Sequence, residues 1–86
     1  MNKPLVSVGI PTYNRPEGIN NTLSIFTKQT YKNLEIIVSD NCSENNDVKR
    51  IVRSYEEKDK RVNYYRQDAN IGAANNFKYV LEKSNW

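Results

Sequence analysis

Histidine is absent and cysteine occurs once, as Cys42, in this chain of 86 residues. A single thiol closes no internal disulfide, and without an imidazole neither a Ser–His nor a Cys–His nucleophile pair can form. The ligand sets from which zinc sites are ordinarily built are missing for the same reason. Glycine is scarce, at 3 residues, and their positions spell neither a P-loop nor a G-x-G-x-x-G turn. No apolar run reaches the ~20 residues of a membrane-spanning helix. The opening "MNKPLVSVGI" has one lysine and a short apolar stretch broken by Gly9, and does not read as a signal peptide. These features lead us to expect a cytoplasmic protein, with a longer parent working at the inner face of the membrane.

Apolar residues are also sparse, at 37%, with a mean hydropathy of −0.84. A chain of this length and polarity supports one small core and one domain at most. The net charge is +3 and the pI about 9.1. That mild excess suits an anionic ligand. The basic residues, among them Lys28, Lys49, Arg53 and Arg61, are scattered and form no stripe of the kind that tracks nucleic acid.

What is present has a regular order. "LVSVGI" (5–10) suits a strand buried on both faces, and Pro11 is expected to end it because proline donates nothing to a ladder. Pro16 fits a first helical turn, and Ile19, Leu23 and Phe26 continue one face of a helix over about 16–28. "LEIIVSD" (34–40) is the second strand. Ser43 or Asn45 then caps a helix whose inner face is Val48, Ile51, Val52 and Tyr55. "VNYYRQ" (62–67) is the third strand, with tyrosines suited to a half-exposed position. A helix over about 73–84 closes the series with Ala73, Phe77, Val80 and Leu81 as its apolar face. Strand and helix alternate three times. This predicts an α/β, truncated Rossmann-like fold, with a parallel sheet ordered 3-2-1, right-handed crossovers and helices on both faces. Trp86 is expected to pack on the last helix or to begin a further strand.

Each strand runs out into a polar cluster: "PTYN", "DNCS" and "DANIG". In open α/β sheets ligands bind beyond the carboxyl ends of the strands, so the three clusters converge on one edge. Tyr13 offers a flat face for stacking. Asp40 is an acceptor suited to an imide N–H such as that of uracil. Thr12, Asn14 and Ser43 carry short polar groups for ribose or phosphate. Arg15 lies beside a helix N-terminus, which favours phosphate, and Gly72 permits close backbone approach. Each also has a plainer reading: Tyr13 as a cover for the sheet edge, Asp40 and Ser43 as caps, Asn70 and Gly72 as a turn, Asn76 as an exposed helix residue, Cys42 as filler.

Residues 5–45, "LVSVGIPTYNRPEGINNTLSIFTKQTYKNLEIIVSDNCSEN", resemble the start of a family-two glycosyltransferase with the GT-A fold. Such proteins carry a V-S-[VI]-x-[IV]-P-x-[YF]-N strand and a Q-T-Y-x-N-x-E-[IV]-[IV]-[IV]-x-D-[DN]-x-S segment. "NIGAANNF" (70–77) resembles the N-x-G-x-x-x-N-[FW] segment of one branch. The resemblance implies that Pro11, Thr12 and Tyr13 line a nucleobase and ribose pocket. It gives the base edge to Asp40, and makes Asn70, Gly72 and Asn76 a wall near the sugar nucleotide. Asn14, Arg15, Asn41 and Ser43 complete the expected substrate-binding set. Where many relatives read D-D-G-S-x-D, this chain has Asn41, Cys42 and Asn45 in place of the second Asp, the Gly and the last Asp.

The family's metal-binding D-x-D and catalytic base are expected beyond Trp86. Residues 1–86 therefore read as a partial nucleotide-sugar-binding domain with no catalytic residue, metal ligand or cofactor of its own. A parent enzyme would use Mg²⁺ or Mn²⁺. The implied partner is a nucleotide-diphospho-sugar of the uridine type, with no nucleic acid and no membrane span. An exposed sheet edge is expected to favour self-association. The alternative is a non-enzymatic α/β module binding a nucleotide or a protein. A receiver-like domain is disfavoured because "PTYN" and "QDAN" lack its acidic cluster and phosphorylatable Asp, and a flavodoxin-like one because "PTYNRPEG" makes a poor phosphate cradle.

Overall fold

The computed structural model describes residues 5–84, so the expectation for Trp86 lies outside the described residues. Three strands, β1 (Val6–Thr12), β2 (Leu34–Asp40) and β3 (Val62–Arg66), alternate with three helices, α1 (Pro16–Phe26), α2 (Asp47–Lys58) and α3 (Ala73–Lys83). The sheet is parallel throughout, in the order β1-β2-β3, with Val6 opposite Leu34, Thr12 opposite Asp40, Ile36 opposite Val62 and Asp40 opposite Arg66.

Side-chain alternation along β2 divides the core. Leu34, Ile36 and Val38 join Ile19 and Leu23 of α1, Val48 and Val52 of α2, and Val62 and Tyr64 of β3 in one buried cluster. The odd-numbered residues face α3 instead. Ser39 bonds Asn76, and Gly9 lies under Val80 so closely that a Cβ there would come 2.1 Å from Val80 Cγ1. Helices thus cover both faces, α1 and α2 on one and α3 on the other.

Three expectations are corrected. Pro11 does not end the first strand, which runs on to Thr12. Val6 N–H donates to the Asn33 carbonyl and the Thr12 carbonyl accepts from Asn41 N–H, so even-numbered residues turn their backbone groups toward β2. Odd-numbered Pro11 faces the open edge, where a missing donor disturbs no ladder bond. Tyr64 is buried rather than half-exposed, because it shares a face with Val62. On α3 the inward face is Asn76 and Val80, while Phe77 and Leu81 are 52% and 50% exposed and Ala73 is exposed. Two bonds to Ser39 draw Asn76 inward, and the helix turns with it.

At the opposite end of the sheet Arg61 is a fastener. Its guanidinium pairs with Asp59 at 2.7 Å and donates to the carbonyls of Thr27, Gln29 and Tyr31. Those carbonyls belong to the segment leaving α1, whose last turn holds no basic residue of its own. The hydrogen bond from Arg61 holds the Asp59 carboxyl below its ordinary range.

Candidate functional site

The carboxyl ends of β1 and β2 and the start of α3 enclose a cavity of about 280 Å³. Pro11, Thr12, Tyr13 and Arg15 form one wall, and Asn41, Ala73 and Asn76 the other. Segments more than 60 residues apart in the chain meet here, because α3 crosses back over the sheet to lie on β1 and β2.

Tyr13 leaves 37% of its surface exposed at the rim. Arg15 is exposed, and it has no ion-pair partner among the described residues. It is also the N-cap residue of α1, where no side chain caps the first turn and Pro16 removes one of the free amides. Gly72 is the N-cap of α3, again without a side-chain cap. Two helix N-termini, both enriched in unpaired N–H groups, therefore open beside one cavity. Gly72 holds φ +85°, a conformation costly for residues with a Cβ.

The two asparagines of the inner wall are anchored but not saturated. Asn41 Oδ1 accepts from Ile71 N–H at 2.8 Å and its Nδ2 donates to Asn70 Oδ1 at 3.0 Å. Asn76 Oδ1 accepts from the Ser39 hydroxyl at 2.6 Å and its Nδ2 donates to the Ser39 carbonyl at 2.9 Å. A primary amide has two donors and two acceptor sites, so Asn41, 5% exposed, keeps one of each at the cavity wall, while Asn76, 1% exposed, is held almost wholly inside. Asn70 Oδ1 is fully used, accepting from Asn41 and from Gly72 N–H.

Asp40 is placed elsewhere. It is 1% exposed and is not among the residues lining the cavity. Its Oδ1 accepts from Ser43 N–H at 2.9 Å and the Ser43 hydroxyl at 2.6 Å, and its Oδ2 from the Tyr64 hydroxyl at 2.7 Å. Ser43 Oγ in turn accepts from Asn14 N–H, while Asn14 Oδ1 accepts from Glu44 N–H. Asn14 sits at φ 51°, one of two non-glycine residues with positive φ among the described residues, the other being Cys42. Asp40, Ser43 and Asn14 thus lock the loop carrying Tyr13 against the loop carrying Asn41. Neither Ser43 nor Asn46 caps α2 by side chain; Asn45 Oδ1 accepts from Asp47 N–H instead.

Sequence reasoning missed the supports. Tyr64 holds Asp40, Arg66 donates to the Ser43 carbonyl at 2.8 Å, and Ser39 seats Asn76. The signal available was the strand period: Tyr64 is two residues from Val62 and shares its face. Burial, and then the hydrogen bond to Asp40, raise the Tyr64 hydroxyl well above its ordinary pKa.

A larger, shallower groove of about 720 Å³ follows the outer face of α2. Its arginines are engaged, Arg50 with Asp47 and Arg53 with Glu56, and it lies away from the strand ends. Among the described residues no cluster of three or more His, Cys, Asp or Glu side chains exists to hold a metal ion. No helix among them is long and apolar enough to cross a membrane.

A parallel sheet with a cavity at its carboxyl edge, walled by a tyrosine, an arginine and amides, defines an open α/β domain, a class whose ligands bind beyond the strand ends. The family model for glycosyl transferase family 2 matches residues 7–85, and the chain belongs to that family. An uncharacterized glycosyltransferase of Methanocaldococcus jannaschii is 34% identical over 73 residues, which are 84% of this chain and 25% of that protein. The GalNAc(5)-diNAcBac-PP-undecaprenol beta-1,3-glucosyltransferase of Campylobacter jejuni is 37% identical over 62 residues, 72% of this chain and 20% of its own length. Among solved structures, the mannosyltransferase PcManGT from Pyrobaculum calidifontis, in complex with GDP-Man and Mn²⁺, superposes with a TM-score of 0.83 at 25% identity. It covers 98% of this chain, and 25% of the mannosyltransferase is matched. The α/β GT-A architecture is shared, and the chain spans about a quarter of the length of these proteins.

Proposed function

We propose that the cavity between β1, β2 and α3 binds the nucleotide of a nucleotide-diphospho-sugar, and that the chain is the donor-binding portion of a sugar transferase. The observation that carries this is the meeting of Tyr13, Arg15, Asn41 and Asn76 around one cavity. Tyr13 stacks on the base. Asn41 meets a polar edge of base or ribose with its remaining donor and acceptor, and Asn76, tied to Ser39, backs the wall. Arg15 and the N-termini of α1 and α3 favour the phosphates. Pro11 and Thr12 shape the floor. Gly72 and Asn70 set the entry of α3. Asp40, Ser43 and Asn14 act one step back, by holding the two loops. A uridine diphosphate is the first ligand to test, with guanosine diphosphate as comparison because the mannosyltransferase complex contains GDP-Man.

A divalent cation would neutralise the diphosphate leaving group. The cavity wall offers it no carboxylate, so the described residues do not fit a metal there and no step is assigned through one. Nor does the wall offer a general base for an acceptor hydroxyl. The chain alone is therefore expected to bind without transferring sugar. Without a metal, affinity should be weak, with a Kd of about 1 mM, or ~4 kcal/mol. The test is a titration followed by amide NMR. Shifts at Tyr13, Asn41 and Gly72 that saturate together support the reading, as does weakening by Tyr13→Ala of the ~1–3 kcal/mol typical of base stacking. Shifts confined to residues 49–53 and 58–61 would show binding by surface charge and reject it.

A further inference from the structure

We propose that Asn41 and Asn70 form a latch between the cavity and the loop from β3 to α3, so that filling the cavity and docking residues 68–72 are one coupled equilibrium. The proposal rests on the nucleotide reading of the cavity and adds a conformational response to it. The β2–β3 ladder closes with the bond from Gln67 N–H to the Asp40 carbonyl. Residues 68–72 beyond it are all exposed, yet the two amides that lead into α3 are both held. Ile71 N–H donates to Asn41 Oδ1 at 2.8 Å, and Gly72 N–H to Asn70 Oδ1 at 2.9 Å. Asn41 Nδ2 donates to Asn70 Oδ1 at 3.0 Å and joins the two. The bond directions are fixed by the backbone. A main-chain N–H only donates, so Ile71 decides which end of the Asn41 side chain is oxygen, and Gly72 decides the same for Asn70. Asn41 must then present its nitrogen to Asn70, whose oxygen carries two donors and has no lone pair left.

Asn41 therefore serves two sides. One Nδ2 hydrogen and one Oδ1 lone pair hold the loop, and the other of each remains at the cavity wall. Asn70 is not among the residues lining the cavity, so it acts on a ligand only through Asn41 and Gly72 and is a positioning residue. A ligand that takes the remaining donor and acceptor fixes the amide plane of Asn41. The ordering cost of that one side chain then serves ligand and loop together. Polarisation works in the same direction, since an amide whose nitrogen donates to a ligand accepts more strongly at its oxygen. The leverage on the site is geometric. Asn76 seats α3 by two bonds to Ser39. Ala73, which lines the cavity, lies just under one turn ahead of that anchor, about 4.5 Å along the helix. With the latch shut, Ala73 is held between the Asn76 anchor on one side and the docked Gly72 on the other. With it open, the entry of α3 pivots on Asn76 and the cavity wall moves with it.

The experiment measures amide hydrogen exchange by NMR on the 86-residue chain, free and with uridine diphosphate. In the free chain Asn70→Ala removes the acceptor of Gly72 N–H. Asn41→Asp sets oxygen against oxygen, so Asn70 must turn its amide and release Gly72 as well. Each should speed Gly72 exchange by about tenfold with the circular dichroism unchanged. Asn70→Asp keeps an oxygen for both donors and should leave Gly72 protected. Saturating uridine diphosphate should slow exchange at Ile71 and Gly72 of the unaltered chain by about five- to tenfold, and Asn70→Ala should raise the Kd by the same factor, because coupling between two events is reciprocal. Shifts at Tyr13 with unchanged exchange at Ile71 and Gly72, or a Kd that ignores Asn70→Ala, would leave the cavity a nucleotide site and overturn the latch. Fast Gly72 exchange in Asn70→Asp would overturn the bond directions on which the latch depends. No shift at Tyr13 would reject the nucleotide reading itself and the coupling with it.

Discussion

Tyr64→Phe removes one oxygen atom and tests whether Asp40 is a support. In the folded chain Asp40 is 1% exposed, and its Oδ2 accepts from the Tyr64 hydroxyl at 2.7 Å, while Oδ1 carries both bonds from Ser43. Phenylalanine fills the same space and strips Oδ2 of its donor. The cost is the desolvation of a buried carboxylate oxygen, about 2–3 kcal/mol. A domain of this size has a total stability of roughly 4–13 kcal/mol, so the loss is a large fraction of it. The midpoint temperature should fall by about 10–20 °C. Urea unfolding followed by circular dichroism measures the change, with an unaltered m-value expected. In an Asp40→Asn background the same substitution should cost about 1 kcal/mol, because a neutral amide loses less than a carboxylate. High pH supplies a second readout. The raised Tyr64 pKa means that above its ordinary value of 10.0 the unfolded chain releases this proton while the folded chain retains it. The stability from Tyr64 is complete below pH 10 and declines above it, by up to ~1.4 kcal/mol per pH unit. Tyr64→Phe has no such decline, so the gap between the two proteins should narrow in alkali. A loss under ~0.5 kcal/mol at pH 7, the range of surface substitutions, would refute the assignment of Asp40 as a buried brace.

Arg61→Ala should destabilise by about 2–3 kcal/mol in urea, because it releases three carbonyls and leaves Asp59 unpaired. The Asp59 pKa is lowered, so its stabilisation is present above the ordinary value of 3.8 and fades as the pH falls below it; Asp59→Asn should flatten the acid limb of the stability profile. Gly9→Ala and Gly72→Ala fail for different reasons. At Gly9 the new methyl meets Val80 at 2.1 Å, and about 1–3 kcal/mol should be lost and partly recovered by Val80→Ala. At Gly72 nothing lies within 4 Å, and a loss of about 1–3 kcal/mol from φ +85° should survive any neighbouring truncation.

The fold was legible because its signals were redundant. Periods of two and of near 3.6 alternate along the chain, and polar clusters separate them. Sheet order and the two-faced helix cover follow from that alternation and the crossover rule. The last helix was misread because periodicity counts apolar residues, and the side chain that fixes its rotation is polar. Asn76 is drawn inward by Ser39, and a buried pair of this kind looks in sequence like two surface residues. The expected order already places β1 at an edge, and what the sequence does not show is the register that turns Pro11 away from β2. On an inner strand its missing N–H would break a ladder.

Place in the site was legible, but division of labour was not. The residues singled out do gather at the strand ends, yet they fall into two groups that composition does not distinguish. Tyr13, Arg15, Asn41 and Asn76 line the cavity, whereas Asp40, Ser43 and Asn14 face away from it and bond one another. Asp40 turns its carboxyl to Ser43 and Tyr64, whereas Asn41, the next residue, lines the cavity. The anion, which in sequence drew the functional role, turned to the helix-packed side, where Tyr64 was waiting two residues along from Val62. The amide turned to the cavity. A buried charge needs donors supplied by the protein, while a neutral amide can be half-satisfied by its own loop and still hold a donor and an acceptor for a guest. The residue with the stronger chemistry is therefore the one the fold has to enclose with donors, and the weaker one the one it can set at the cavity wall with a donor and an acceptor to spare.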